Sequence, residues 1–350
     1  MNIEDKFKNL NKALAPSIEI EGKNYLYFGG TAYLGIPQNT SFIKLFIEGI
    51  KKYGLNNGTS RGNNVQLGIY NEFEAFTASK YGTESALVSS SGYLAAKLTV
   101  AHFANRGTLR YAPATHPSLW INGDPGVQGT FTQWTEDLLR EINQSKQQKW
   151  VLVSNSINNL WPEIYDFSFI SKINPGKEVI LIVDDSHGIG VLNEGSSVLK
   201  SVPQTDHVQV LLVASMAKAL GVDAGLILGP QRLIEELKQT DEFIGASPSS
   251  AAGLYAFMHA GDIYGQSYEQ LMLLNKEVSL FLETSNWHFA KDFPVFLYKG
   301  EDLEKKLLKN NILVSSFPYP TTSSPVINRI IICSWHSKQQ IEQLKSALKS

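Results

Sequence analysis

Six short runs of consecutive apolar residues recur between residues 85 and 229: "SALVSS" (85–90), "LRYAP" (109–113), "KWVLVSNS" (149–156), "EVILIVDD" (178–185), "VQVLLVAS" (208–215) and "AGLILG" (224–229). Each is too short for a helix and lacks the apolar–polar alternation of a half-exposed strand. A continuous apolar run of this length predicts a strand buried on both faces. Helix-length segments such as "WTEDLLREINQSKQ" (134–147) lie between several of them. Buried strands separated by helices predict an α/β protein whose mostly parallel central sheet carries helices on both faces.

The pattern differs at both ends. Residues 1–45 read as an N-terminal arm, with a helical start in "MNIEDKFKNLNKAL" and then "SIEIEGKNYLYFGG", which alternates like a hairpin. Residues 46–262 hold the large α/β domain. Residues 263–350 predict a small C-terminal α+β domain: a long helix (266–284), "FPVFLYK", a helix, "NILVSSF", "NRIIICSW" and a last helix (337–349).

Composition narrows the function without naming it. A length of 350 residues with 43% hydrophobic and 18% charged residues is enough for a large core or two domains. The net charge of −2 supplies no basic field for nucleic acid. A single cysteine, Cys333, excludes an internal disulfide framework and fits a reducing compartment. The charged N-terminus lacks a signal peptide's apolar centre, and no run approaches the ~18 apolar residues of a membrane span. These features predict a soluble, cytoplasmic protein that meets neither nucleic acid nor membrane.

In an open parallel sheet, chemistry gathers where strands end at their carboxyl termini. Four sets of polar residues follow the predicted strands. In "VDDSHGIGV" (183–191), Asp184 and His187 stand three apart across a glycine-containing turn. This pair could bind a metal, cap a helix or hold a heteroaromatic cofactor. The other six histidines show no ligand spacing, which counts against metal. Adjacent strand residues face opposite sides, so one of Asp184 and Asp185 faces the site and the other is structural. In "SSSGYLAA" (89–96), serines and glycine open a helix whose free N–H groups suit a phosphate, although Ser is also a common N-cap. His116 sits in the Pro-rich loop "YAPATHPSLW" (111–120); it is either a structural imidazole or a flat ring that stacks on another. Lys218 follows the strand in "ASMAKALG", with Ser215 three residues before it. Read alone it is a surface lysine at a strand end. Buried beside a cationic ring, it would be a usable amine nucleophile. An amine, an acid, a flat imidazole and a phosphate cradle together match pyridoxal 5'-phosphate, whose aldehyde needs a lysine and whose ring nitrogen needs a carboxylate.

The order Gly-Tyr, His-x-Ser, Asp-Asp-Ser-His-Gly-x-Gly-Val and Ser-x-x-Lys-Ala-x-Gly resembles the α-oxoamine synthases, pyridoxal-phosphate enzymes of fold type I. The resemblance runs from "YLYFGGTAYLGI" to "NRIIICSWHS". It implies that Lys218 forms the Schiff base and then serves as general base, and that Asp184 pairs with the pyridinium nitrogen. It further implies that His187 bonds the ring 3-oxygen, that His116 stacks on the ring, and that Gly92, Tyr93 and Ser215 hold the phosphate. Asn158 aligns loosely with a cofactor-proximal serine. Arg329 matches the residue that grips the amino-acid carboxylate, a task a guanidinium fork suits; a plain rim salt bridge is the alternative. The reaction implied is condensation of an amino acid with an acyl-CoA, usually with decarboxylation, in a homodimer with a shared active site.

Departures fall on the substrate side. Thr31 in "TAYLG" stands where the family has an asparagine, and Tyr70 in "GIYNEFEAF" where it has a histidine. "SINNLWPEI" replaces a longer acidic stretch, and "GASPSSAAG" leaves Ser247 or Ser249 to reach the partner's phosphate. Cofactor chemistry is therefore expected and the substrates stay open. Two other readings stand beside acyl transfer: another fold-type-I enzyme, an aminotransferase or an aldolase-type lyase, and a non-catalytic paralogue that acts as a binding protein.

Overall fold

The computed structural model describes residues 7–283, 286–319 and 324–349. These divide into two compact units. The larger comprises residues 39–158 and 164–264, and the smaller residues 1–38, 159–163 and 265–350.

In chain order the strands are β1 (Ser17–Ile20), β2 (Lys23–Phe28), β3 (Ser85–Ser89), β4 (Thr108–Tyr111), β5 (Lys149–Asn155), β6 (Ile157–Asn158) and β7 (Glu163–Ile164). They continue as β8 (Glu178–Asp184), β9 (Val208–Ser215), β10 (Gly225–Gly229), β11 (Trp287–His288), β12 (Val295–Tyr298), β13 (Ile312–Pro318) and β14 (Val326–Ile331). The first helices are α1 (Thr40–Tyr53), α2 (Ile69–Tyr81), α3 (Gly92–Phe103) and α4 (Phe131–Gln144).

The larger unit is built on a six-stranded sheet in the order β3-β10-β9-β8-β5-β4. β4, β5, β8 and β9 pair in parallel, whereas β10 runs antiparallel to both its neighbours. The apolar runs lie in the interior because both faces are covered. Val151, Ile182, Leu211, Val213 and Ile227 form one core with Ala95, Leu98 and Phe103 of α3 and with Leu233 and Leu237 of the helix Gln231–Lys238. α4 buries Phe131, Leu138 and Ile142, and the Phe131 ring stacks on Tyr165 at 3.9 Å. β3, β4, β5, β8 and β9 therefore end at one edge of this sheet, and the polar residues after them are brought into register.

The smaller unit holds a second six-stranded sheet, in the order β1-β2-β13-β14-β12-β11. Here the sequence reading needs correction. Residues 1–45 are not a separate arm. The β1–β2 hairpin turns at Glu21 (φ 52°) and Gly22 (φ 75°), the pair of positive angles that a two-residue hairpin loop needs. β2 then pairs in parallel with β13, with Leu26 opposite Ile312, so the hairpin is part of the C-terminal sheet. Ile18, Ile20 and Tyr25 are buried there against Phe7, Leu10 and Leu313. No α-helix forms between Phe7 and Pro16; the first six residues of the predicted helical start lie outside the described residues. α1, capped by Asn39 accepting from Phe42 N–H, already belongs to the larger unit. Segment 159–163 belongs to the smaller unit although it lies between strands of the larger.

Candidate active site

The site forms in the larger unit, where β3, β5, β8 and β9 end. α3 starts directly after β3, with Ser91 as N-cap accepting from Leu94 N–H at 3.2 Å. Its first turn carries Gly92 and Tyr93, whose N–H groups precede the helical bonding pattern and face the positive end of the dipole. Gly92 is a packing requirement as well: a Cβ there would lie 2.4 Å from Ser215 Cβ and 2.5 Å from Ser215 Cα. The start of α3 is thus pressed onto the end of β9, and Ser215 stands beside Gly92.

β8 ends in the two aspartates. Asp184 Oδ1 accepts from Ser186 N–H at 2.9 Å, while Asp185 is fully buried and its Oδ2 accepts from Val198 N–H at 2.9 Å. Asp185 is therefore directed into the core and holds the turn. Ser186 Oγ accepts from Ser215 N–H at 2.8 Å, tying the turn after β8 to the end of β9. The same turn presents His187.

Lys218 lies within hydrogen-bonding distance of this histidine, with Nζ 3.1 Å from His187 Nε2. Burial pushes the Lys218 ammonium below its ordinary pKa, and the nearby Asp184 carboxylate pulls it partly back. A neutral amine is the form that attacks an aldehyde. His116 belongs to the same electrostatic group: burial lowers its pKa, the Asp184 charge raises it and the Lys218 charge lowers it. Its Nδ1 accepts from Ser118 N–H at 3.2 Å and lies 2.7 Å from the Ser118 hydroxyl, which holds the ring in place.

Asn155, at the carboxyl end of β5, went unnoticed in the sequence. Its Oδ1 accepts from His116 N–H at 3.2 Å and its Nδ2 donates to Ala114 O at 2.7 Å, so it sets the His116 loop. The rule that picked out the other strand ends would have found it. Asn158 is half-buried in β6 of the same unit. Tyr70 does not stand free: its hydroxyl donates to Ser249 O at 3.1 Å and its ring lies 4.9 Å from the Arg61 guanidinium. Ser249 is buried inside its own chain, which leaves Ser247 as the exposed serine of that pair.

Two predicted residues belong to the smaller unit. Thr31 is half-buried after β2. Arg329, on β14, is 6% exposed; its Nη1 donates to Asn159 O at 2.8 Å and its Nε has no partner among the described residues. Among the described residues no carboxylate lies within ion-pairing distance of it, so the rim salt bridge is absent. Burial lowers its pKa, and the Tyr33 and Tyr319 hydroxyls raise it. His336 is structural: it is stacked on Phe28 at 4.3 Å, accepts from Cys333 N–H and is pushed down to about 4 by burial.

The profile of the aminotransferase class I and II family matches residues 38–348. The chain belongs to that family. The putative 8-amino-7-oxononanoate synthase of Thermodesulfovibrio yellowstonii is 26% identical over 369 residues, covering 99% of this chain and 93% of that one. The 8-amino-7-oxononanoate synthase of Nitrosomonas europaea is 24% identical, covering 96% and 92%. Among solved structures, Sphingomonas wittichii serine palmitoyltransferase superposes with a TM-score of 0.80 at 17% identity, covering 97% of this chain and 90% of that one. The 8-amino-7-oxononanoate synthase of Francisella tularensis superposes with a TM-score of 0.71 at 19% identity, covering 93% and 98%. These likenesses establish the fold-type-I architecture, and pyridoxal phosphate is the cofactor of this class. The residues present fit it: one buried amine of lowered pKa, one carboxylate, two imidazoles and a helix N-terminus share the carboxyl end of one sheet. Among the described residues no group of three His, Cys, Asp or Glu is placed to hold a metal ion, and no helix is long and apolar enough to cross a membrane.

Proposed function

We propose that this chain is a pyridoxal-phosphate-dependent C-acyltransferase that condenses an amino acid with an acyl thioester, in the manner of the α-oxoamine synthases. The observation that carries the cofactor reading is the buried Lys218 amine, 3.1 Å from His187 and within the field of Asp184. Acyl transfer rather than amino transfer is supported by the 8-amino-7-oxononanoate synthase relatives, which match over nearly the whole chain.

When bound, pyridoxal phosphate supplies an electron sink for the bond broken at the amino-acid Cα. The chain's own residues do the rest. Lys218 would hold the cofactor's aldehyde and would take the proton from the amino-acid Cα at Nζ; burial favours its neutral form. Asp184 would keep the ring nitrogen protonated, His187 would donate to the ring oxygen and His116 would stack on the ring. Gly92 and Tyr93 N–H groups and the Ser215 hydroxyl would bind the phosphate, with Asn158 as a further cofactor contact. We assign recognition of the amino-acid carboxylate to Arg329 and Thr31. The buried Arg329 cation lacks a carboxylate among the described residues, and a substrate would supply one. We place the working form as a homodimer in the cytoplasm, because Ile43, Ile47, Leu55, Val65 and Ile244 leave apolar surface on the larger unit of a single chain.

The test is an absorbance spectrum of the protein reconstituted with pyridoxal phosphate, titrated with individual amino acids beside Lys218→Ala. A visible band that is lost in the variant, and free CoA released only when amino acid and acyl-CoA are both present, is the expected result. Identical spectra for both proteins refute the cofactor reading. Keto-acid formation from the amino acid without thioester refutes acyl transfer.

A further inference from the structure

The segment Asn159–Glu163 reads "NLWPE" and lies within "SINNLWPEI". It groups with the smaller unit, and the contacts that hold it there are specific. The Trp161 ring stacks on the His288 ring at 3.9 Å and 25°. His288 also bonds the Pro162 carbonyl, and burial together with the Lys299 charge lowers its pKa. Lys299 Nζ lies 5.6 Å from the centroid of the Trp161 ring. His288 of β11 and Lys299, the residue after β12, thus hold the segment through the Trp161 ring.

What the gripped segment does is accept a hydrogen bond from Arg329. The Asn159 carbonyl takes Nη1 at 2.8 Å, and the guanidinium lies 5.6 Å from the Phe317 ring and within the field of the Tyr33 and Tyr319 hydroxyls. Among the described residues, Arg329 Nε and Asn159 Oδ1 are both buried without hydrogen-bond partners, one a donor and the other an acceptor. Such orphaned groups are costly unless a ligand or water completes them. A guanidinium held at one nitrogen by a fixed carbonyl keeps its other N–H groups directed to a single place.

We infer that Trp161 is a positioning residue for carboxylate recognition: by fixing the Asn159 carbonyl through its stack on His288, it orients the Arg329 fork. The inference rests on Arg329 as the carboxylate site. Trp161 remains 45% exposed, so its value is orientation rather than burial.

The test uses the reconstituted holoenzyme and reads binding from the cofactor absorbance, not turnover. Glycine, L-alanine and L-serine are titrated against their amino alcohols, which lack the carboxylate. Trp161→Ala is expected to weaken the amino acids about tenfold, or about 1.4 kcal/mol, and leave the amino alcohols unchanged. Trp161→Phe, which keeps a ring on His288, restores most of that affinity. In an Arg329→Ala background, Trp161→Ala adds nothing further, because the group it orients is gone. Equal weakening of amino acids and amino alcohols, or full additivity with Arg329→Ala, overturns the inference while leaving Arg329 as the carboxylate site. If Arg329→Ala does not weaken the amino acids, or none of the three perturbs the cofactor, the carboxylate assignment itself fails and Trp161 falls with it.

Discussion

Asp185→Asn probes the electrostatics beneath the site. Asp185 is fully buried, and beyond its bond from Val198 N–H it has little to stabilise a charge. Among the described residues, its Oδ1 and the buried Ser156 hydroxyl have no well-formed hydrogen bond. Burial pushes its carboxyl up to about 7; Ser156 and Val198 oppose the rise in part, and the Asp184 charge adds to it. An aspartate in the unfolded chain titrates near ~3.9. The difference, about 3 pH units at ~1.36 kcal/mol per unit, makes an ionised Asp185 cost the fold roughly 4 kcal/mol. The sign follows from which state holds the proton. Between about pH 4 and pH 7 the unfolded chain releases it while the folded chain keeps it, so stability falls across that window and levels off above. Asparagine has nearly the same shape, still accepts from Val198 and never ionises. The stability of Asp185→Asn minus that of wild type should therefore be near zero at about pH 4 and climb to as much as roughly 4 kcal/mol at about pH 8. Urea denaturation at several pH values and one fixed protein concentration measures the difference. A difference that stays constant with pH, or shrinks toward alkaline pH, refutes the account of a neutral buried acid.

Two further outcomes follow from packing. Gly92→Ala forces a Cβ to within 2.4 Å of Ser215, so α3 must lift from the end of β9; we expect a loss of about 1–3 kcal/mol in stability together with weaker cofactor binding, and unchanged cofactor affinity by titration would contradict the phosphate assignment. The apolar residues left exposed on α1 and in the segment after it predict association, so light scattering at micromolar concentration should report a dimer, and a monomer would refute that expectation.

The parts of this protein that could be read in its sequence are those set by local chemistry. "EVILIVDD" and "VQVLLVAS" announced themselves because a strand buried on both faces needs apolar residues at every position, and β8 and β9 span 178–184 and 208–215. The polar residues just beyond were identifiable because parallel strands share a carboxyl edge, which brings Lys218, His187 and Asp184 together without reference to their separation along the chain. The pair of aspartates was half legible: alternation says that one points away, and only the packing around Val198 and Ser156 shows Asp185 to be that one.

Long-range pairing was not legible. The hairpin at residues 17–28 looks self-contained because its alternation and turn are local, yet its outer edge bonds a strand nearly three hundred residues later, with Leu26 N–H donating to Asn311 O at 2.8 Å. Backbone hydrogen bonds between strands carry no side-chain signature, so nothing in "NYLYF" names its partner. The same holds for "NLWPE", which reads as a loop between two strands of the larger unit. It groups with the smaller unit because a tryptophan finds a histidine far along the chain and a main-chain carbonyl finds Arg329. The sequence determined the chemistry at the strand ends, since residue type and position suffice for it. The tertiary structure decided which distant segments hold that chemistry in place, because those contacts depend on geometry that no local pattern encodes.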